Sequence, residues 1–282
     1  MKLISLLGNS QLLDGGAMFG NAPRAVWQKW SEPDSNNRIA LACRCLLLQT
    51  DDGKNILFEA GIGAFFDPKL RDRFGVSENE HVLLKSLQQV GLSPDDIQAV
   101  VLSHLHFDHA GGVLSDYNEG PLSLLFNNAK FYVGEDHWKR ALNPHSRDKA
   151  SFIPVLQQLL LASGRLTLVK KDSKTDLEPL VNFRFSDGHT PGLMLAQINL
   201  KQGPLVFASD LIPGLPWVHV PISMGYDRFP ELVIDEKNSL LHELVEKNGS
   251  LFFTHDPNFA CGKVQFKDNK YSAEVIDIQT LI

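Results

Sequence analysis

Ser103-His104-Leu105-His106-Phe107-Asp108-His109-Ala110-Gly111-Gly112 sets three imidazoles and a carboxylate within six residues, from His104 to His109. The run before it, residues 99–102 (Ala-Val-Val-Leu), is short and apolar, and reads as a buried strand. On an extended backbone His104 and His106 leave the same side, so their nitrogens can converge on one cation. Asp108 and His109 follow where the chain turns, and can reach a second cation a few Å away. Gly111 and Gly112 let the backbone bend tightly and come close to the site. The alternative is a polar loop of exposed histidines. It requires four metal-competent side chains to meet by accident directly after a buried strand, and a metal site is the better reading.

Such a cluster needs further ligands, and three later positions offer them. His189 lies in the turn Ser186-Asp187-Gly188-His189-Thr190-Pro191-Gly192, after the apolar run 183–185. Asp210 ends Ala208-Ser209-Asp210, after the run 205–208. His255 stands in Thr254-His255-Asp256, after the run 251–253. Singly they read as a turn residue, a helix cap and a surface histidine. Together, each at a strand end like the His104 cluster, they read as ligands. His81, His137, His145 and His242 are read as non-ligands.

The rest of the 282 residues is an ordinary α/β chain, 43% hydrophobic and 21% charged. Strand-like runs recur at 2–7, 39–49, 55–58, 99–102, 130–133, 166–170, 183–185, 195–200, 205–208 and 251–253. The pair 263–266 and 271–275 reads as a hairpin. Helical spacing marks 80–90, 154–162 and 232–246, and Ser93-Pro94-Asp95-Asp96 is a helix start. Residues 136–165 could form a helical cover over a pocket. No linker or repeat divides the chain, so residues 1–282 are expected to form one domain of two halves. Net charge of −6 argues against nucleic acid and against an anionic membrane surface as partners. The start, Met1-Lys2-Leu3-Ile4-Ser5-Leu6-Leu7, is too short an apolar run for a signal peptide and reads as the first strand. With no run of about 18 apolar residues, the expected compartment is the cytoplasm. Cys43, Cys45 and Cys261 lack the second CxC or CxxC that a thiolate site needs, and read as small buried side chains.

The motif His104-x-His106-x-Asp108-His109, followed in order by His189, Asp210 and His255, resembles the metallo-β-lactamase superfamily. The likeness runs from residues 56–61 to the last strands and is nearest the lactonase, glyoxalase II and organophosphate-hydrolase branch. It implies an αββα sandwich with the metal site at one edge of the two sheets. It also implies a dinuclear hydrolase: His104, His106 and His189 on one ion, Asp108, His109 and His255 on the other, and Asp210 bridging. That set suits Zn²⁺, and is compatible with Mn²⁺ or Fe²⁺. A water shared by the ions would lose its proton near neutral pH and attack an ester, lactone, thioester or phosphoester. Asp108 would then be the catalytic proton shuttle. One position departs from the pattern. Where relatives carry Asp in an apolar-apolar-Asp-x-Gly turn, this chain has Leu57-Phe58-Glu59-Ala60-Gly61. Glu59 either supports the ligand loop from behind or simply faces solvent.

Trp217, His219 and Tyr226 follow Asp210 in a loop rich in rigid turn residues, and either line a substrate pocket or pack as a crossover. Met18 and Phe19, in the Gly-rich stretch 14–20, could meet an acyl chain if exposed; as core they would not. The expected partner is a small molecule, with the chain acting alone or as a homodimer. Two other classes compete: a flavodiiron-type redox enzyme, and a catalytically weak binding or signalling protein. The first normally carries Glu where His106 stands, and needs a flavin domain this chain has no room for. The second fits poorly with an intact ligand set.

Overall fold

Ala99–Val101, the run that leads into the histidines, is the fourth strand of a six-stranded sheet. The order is Lys2–Leu7, Arg44–Gln49, Asn55–Phe58, Ala99–Val101, Lys130–Gly134 and Leu166–Val169. The first two pairings are antiparallel and the last three parallel, with Phe58 opposite Val101 and Val101 opposite Tyr132. The computed structural model describes all 282 residues, and this sheet belongs to the first of two units, Met1–Gln11 with Ala42–Thr175. Parallel strands are covered on both faces, which is why this stretch reads as unbroken apolar runs rather than alternating ones. Leu57, Val100, Leu102, Phe131 and Leu156 are fully buried in its core.

The second unit is Leu12–Leu41 with Asp176–Ile282. Its sheet runs Lys270–Val275, Cys261–Lys267, Ser250–Phe252, Leu205–Phe207, Leu193–Ile198 and Val181–Ser186. Leu205–Phe207 and Ser250–Phe252 form its one parallel pair. The expected late hairpin is present. Asp268 and Asn269 turn it with φ of 51° and 57°, the left-handed pair a tight two-residue turn requires. The core of this unit gathers Val206, Leu241, Leu251 and Phe253 with a stack of rings, Trp27 on Phe19 on Trp217. Met18 and Phe19 are therefore core, in a short helix Gly15–Phe19 whose N-cap is Asp14.

Three expected elements differ in extent. The run 39–49 is two strands: Arg38–Leu41 pairs with Gln11–Asp14, and Arg44–Gln49 joins the first sheet. The break falls at Ala42-Cys43, and from there on the chain pairs with the first strand, the Cys43 carbonyl accepting from Gly8 N in the same register. The Ser93 start gives only one 3₁₀ turn, Pro94–Asp96, because Ile97 is already extended and buried on the way into Ala99–Val101. Residues 136–165 hold two helices, Glu135–Leu142 and Pro154–Ala162. All three cysteines are free and buried. No helix is long and apolar enough to cross a membrane.

Candidate metal centre

In the first unit, three neighbouring parallel strands deliver their carboxyl ends side by side. Glu59 follows Asn55–Phe58, the histidine cluster follows Ala99–Val101, and His137 rides on the helix after Lys130–Gly134. Glu59 is buried, with one carboxylate oxygen accepting from Ser103 N at 3.1 Å and the other 3.3 Å from His109 Nδ1. It does not face solvent. The longer side chain spans from one strand end to the next, holding the main chain before His104 and setting its second oxygen beside the ring of His109. The ligand-capable atoms of Glu59, His104 and His109 lie within 4.8 Å of one another. The His104 and His109 ring centroids are 4.0 Å apart, and those of His104 and His106 are 4.5 Å apart.

Each ring is oriented from behind. His104 Nδ1 is 2.8 Å from Ser103 Oγ, so its Nε2 is the atom turned towards a ligand. His106 sets the edge of its ring on Phe152, 4.9 Å between centroids. His137, read from sequence as a bystander, is fully buried and accepts from Leu105 N at 2.8 Å. It grips the backbone between the two histidines without offering itself as a ligand. Asp108 is the more accessible member, 14% exposed, held by Gln11 Nε2 at 3.1 Å. The paired glycines are needed for contact: a Cβ on Gly112 would sit 1.9 Å from the Ala60 carbonyl oxygen. His81, another bystander, caps the helix Val82–Gln89 and bonds the Gly112 carbonyl at 2.9 Å. Burial lowers its pKa, keeping the ring neutral.

The second unit contributes His189, Asp210 and His255, each three residues beyond a strand end (Ser186, Phe207 and Phe252), the same offset as His104 from Val101. Asp210 stands between the two rings, one oxygen 3.2 Å from His189 Nε2 and the other 3.1 Å from His255 Nε2. All three are buried. His189 Nδ1 is 2.8 Å from Asp227, and the other oxygen of that carboxylate accepts from Met224 N at 2.6 Å. Glu236, on the helix Pro230–Glu246, accepts from Ser186 Oγ, Asp187 N and Gly188 N and pins the turn that carries His189. Asp256 accepts from the amides of Leu215, Asn258 and Phe259. Asp227, Glu236 and Asp256 had no signal in the sequence. Asp227 and Glu236 sit 38 to 50 residues from the His189 turn they hold, Asp256 is 41 residues from Leu215, and a lone carboxylate in a loop or on a helix looks like any solvated one.

Backbone strain marks the same two places. Seven non-glycine residues have positive φ; five are Asn or Asp, which tolerate it, and the other two are Glu59 (65°) and Ser209 (46°). One leads the first set and the other precedes Asp210. Such conformations cost on the order of 1 kcal/mol and persist where surrounding structure enforces them.

The donor set itself fits a metal: imidazoles fixed through one nitrogen by an oxygen partner, leaving the other nitrogen directed inward. A model of the metallo-β-lactamase superfamily matches residues 38–255, more than three quarters of the chain. The chain belongs to that superfamily. Among its relatives is N-acyl homoserine lactonase AiiA of Bacillus thuringiensis subsp. kurstaki, 25% identical over 227 residues, or 75% of this chain and 80% of that one. Among solved structures, a probable metal-dependent hydrolase from Staphylococcus aureus is 28% identical with a TM-score of 0.85, covering 98% of this chain and 97% of that one. AidC, a dizinc quorum-quenching lactonase solved with its product, superposes with a TM-score of 0.77 at 24% identity, over 98% and 94% of the two chains. The mixed α/β architecture is that of the superfamily.

Of the pocket residues expected from sequence, Trp217 and His219 both line a cavity of about 630 Å³ in the second unit. Trp217 is buried, its Nε1 donating to the Met18 carbonyl. Tyr226 is 43% exposed and does not line that cavity.

Proposed function

We propose that this metal-dependent hydrolase opens lactones or closely related small esters with two divalent cations, held by His104, His106, Asp108, His109, His189, Asp210 and His255. What carries the reading is the orientation of the rings. His104 and His189 are each held at Nδ1 by an oxygen 2.8 Å away, of Ser103 and of Asp227, and His109 Nδ1 lies 3.3 Å from the Glu59 carboxylate. Surface histidines have no need of such bracing, whereas metal ligands almost always have it. His104, His106 and His189 would serve one ion, Asp108, His109 and His255 the other, and Asp210 both. Zn²⁺ suits this nitrogen and oxygen set best. Bound there, the ions would supply a water acidic enough to ionise near neutral pH and a Lewis acid for the substrate carbonyl.

The chain's own part is positional and protonic. Asp210 carries two oxygens facing two imidazoles, and its negative charge offsets the cations it would join. Asp108 is the residue to move the proton, since it is the accessible carboxylate of the cluster and Gln11 fixes one of its oxygens. It takes the proton released as water oxygen bonds to the carbonyl carbon. It returns that proton to the ring oxygen as the carbon–oxygen bond breaks, giving the hydroxy acid. Glu59 stays behind His109 and orients it.

Metal analysis of the purified protein, followed by a hydrolysis screen over N-acyl homoserine lactones, simple esters, thioesters and phosphotriesters, tests the proposal. It expects about two ions per chain and turnover of the lactones. A metal-loaded protein that hydrolyses only phosphotriesters would overturn the substrate class. One without bound metal would overturn the mechanism.

A further inference from the structure

Lys237 is completely buried on the helix Pro230–Glu246, and its Nζ reaches three backbone carbonyls of one turn: His219 at 3.1 Å, Val220 at 3.2 Å and Ile222 at 2.6 Å. No carboxylate shares the ammonium by hydrogen bond or ion pair, and burial pushes the amine down to about 7, with Asp227 acting the other way. Burying such a group costs free energy that an apolar side chain would avoid. It is offset because an irregular turn has carbonyls that need donors. An ammonium has one N–H for each of the three.

Of the clasped residues His219 lines the 630 Å³ cavity, whose wall also includes Trp30, Leu215, Trp217, Phe259 and Tyr271. Both loops around it start at the candidate metal ligands. Leu215 follows Asp210 by five residues, and Asp256 adjoins His255, its carboxylate tying Leu215 to Phe259. The volume lies in the range of small-molecule sites, and the aromatic lining suits an apolar group.

We propose that Lys237 is a positioning residue that, by holding residues 219–222 through three carbonyls, fixes one wall of this cavity for the apolar chain of the substrate and so sets chain-length selectivity. The inference rests on the hydrolase reading above, but its test can be separated from it. N-butanoyl and N-decanoyl homoserine lactone are compared on the wild type and Lys237→Met, with bound metal measured on the same samples. Losing the donor leaves buried acceptors unpaired, and the expected result is a rise of about tenfold in KM for the decanoyl substrate. The butanoyl KM, kcat and metal content should stay within about twofold of wild type, since only wall packing is altered. Trp30→Ala, at a lining residue whose ring centroid is 6.3 Å from that of His219, should give the same chain-selective rise. If Lys237→Met does not fold, Lys237→Gln, which keeps a donor, takes its place. Should the wild type hydrolyse neither lactone, calorimetric binding of sodium decanoate to wild type and variants replaces the kinetics; weaker binding by the variants then supports the cavity even though the hydrolase reading has failed. Equal changes for both chain lengths, metal loss in Lys237→Met, or no change in either variant would overturn the inference.

Discussion

Four candidate ligands in the first unit arrive on one stretch of six residues, whereas three in the second arrive on three loops that span 67 residues, from His189 to His255. The first set is ordered mainly by its own backbone, with Glu59 and His137 gripping main-chain amides on either side. The second has no such local continuity, and each loop needs its own carboxylate: Asp227 for His189, Glu236 for the turn before it, Asp256 for the segment after His255. A locally encoded ligand set is visible as a motif. A distributed one is visible only once its props are seen.

That contrast predicts unequal sensitivity. The largest effect belongs to Asp210→Ala, which removes the one carboxylate facing two imidazoles. Metal retained after dialysis should fall well below that of Glu59→Ala, and turnover should drop to background. Equal metal loss in the two variants would mean Glu59 is itself a ligand, as its 4.8 Å grouping with His104 and His109 allows. Asp108→Asn comes next. It keeps the shape but neither the charge nor the proton, and kcat should fall by about 10²–10⁴-fold with KM little changed. The control is metal content on the same sample, and a metal-replete variant with near-normal kcat would remove Asp108 from proton transfer.

Asp227→Asn sharpens the comparison directly. Loss of an outer carboxylate behind a metal-binding histidine typically costs about 10–100-fold in metal affinity, so a chelator competition should show the variant yielding its metal earlier. Ser103→Ala, the equivalent change behind His104, should cost less, because neighbouring backbone and Glu59 still hold that loop. The reverse order would contradict the division between local and distributed support.

The smallest effect is one of pH. Burial lowers the Lys237 amine to about 7 from an ordinary value of 10.5, so between these limits the unfolded chain binds more protons than the folded one. Stability from this group therefore rises as pH climbs from about 7. Tm of the wild type should gain on that of Lys237→Met between pH 7 and pH 9. Asp227 opposes the shift, and His219, whose own pKa is lowered by burial and then by Lys237, titrates below this window. A constant Tm difference across the interval would place the proton elsewhere.

How much of this could be read in the sequence follows the same line. The strands that carry candidate ligands could be read because short apolar runs ending in polar turns leave few alternatives, and the helix Pro154–Ala162 starts at its proline. The helices Gly15–Phe19 and Pro68–Arg73 could not. The first is glycine-rich and held by burial of Phe19 between two indoles; the second, capped by Asp67, buries none of its side chains. His104 to His109 declared themselves by density. His137 did not, because a histidine that braces a backbone amide has no spacing rule, and nothing in the spacing of the helix Pro230–Glu246 marks Lys237 as buried.

Metal content per folded chain tests the central claim most directly, measured by elemental analysis on protein dialysed against metal-free buffer and then loaded with Zn²⁺. The account predicts two ions in the wild type and a marked loss in Asp210→Ala. A folded wild-type chain that binds one ion or none under saturating Zn²⁺ would contradict it.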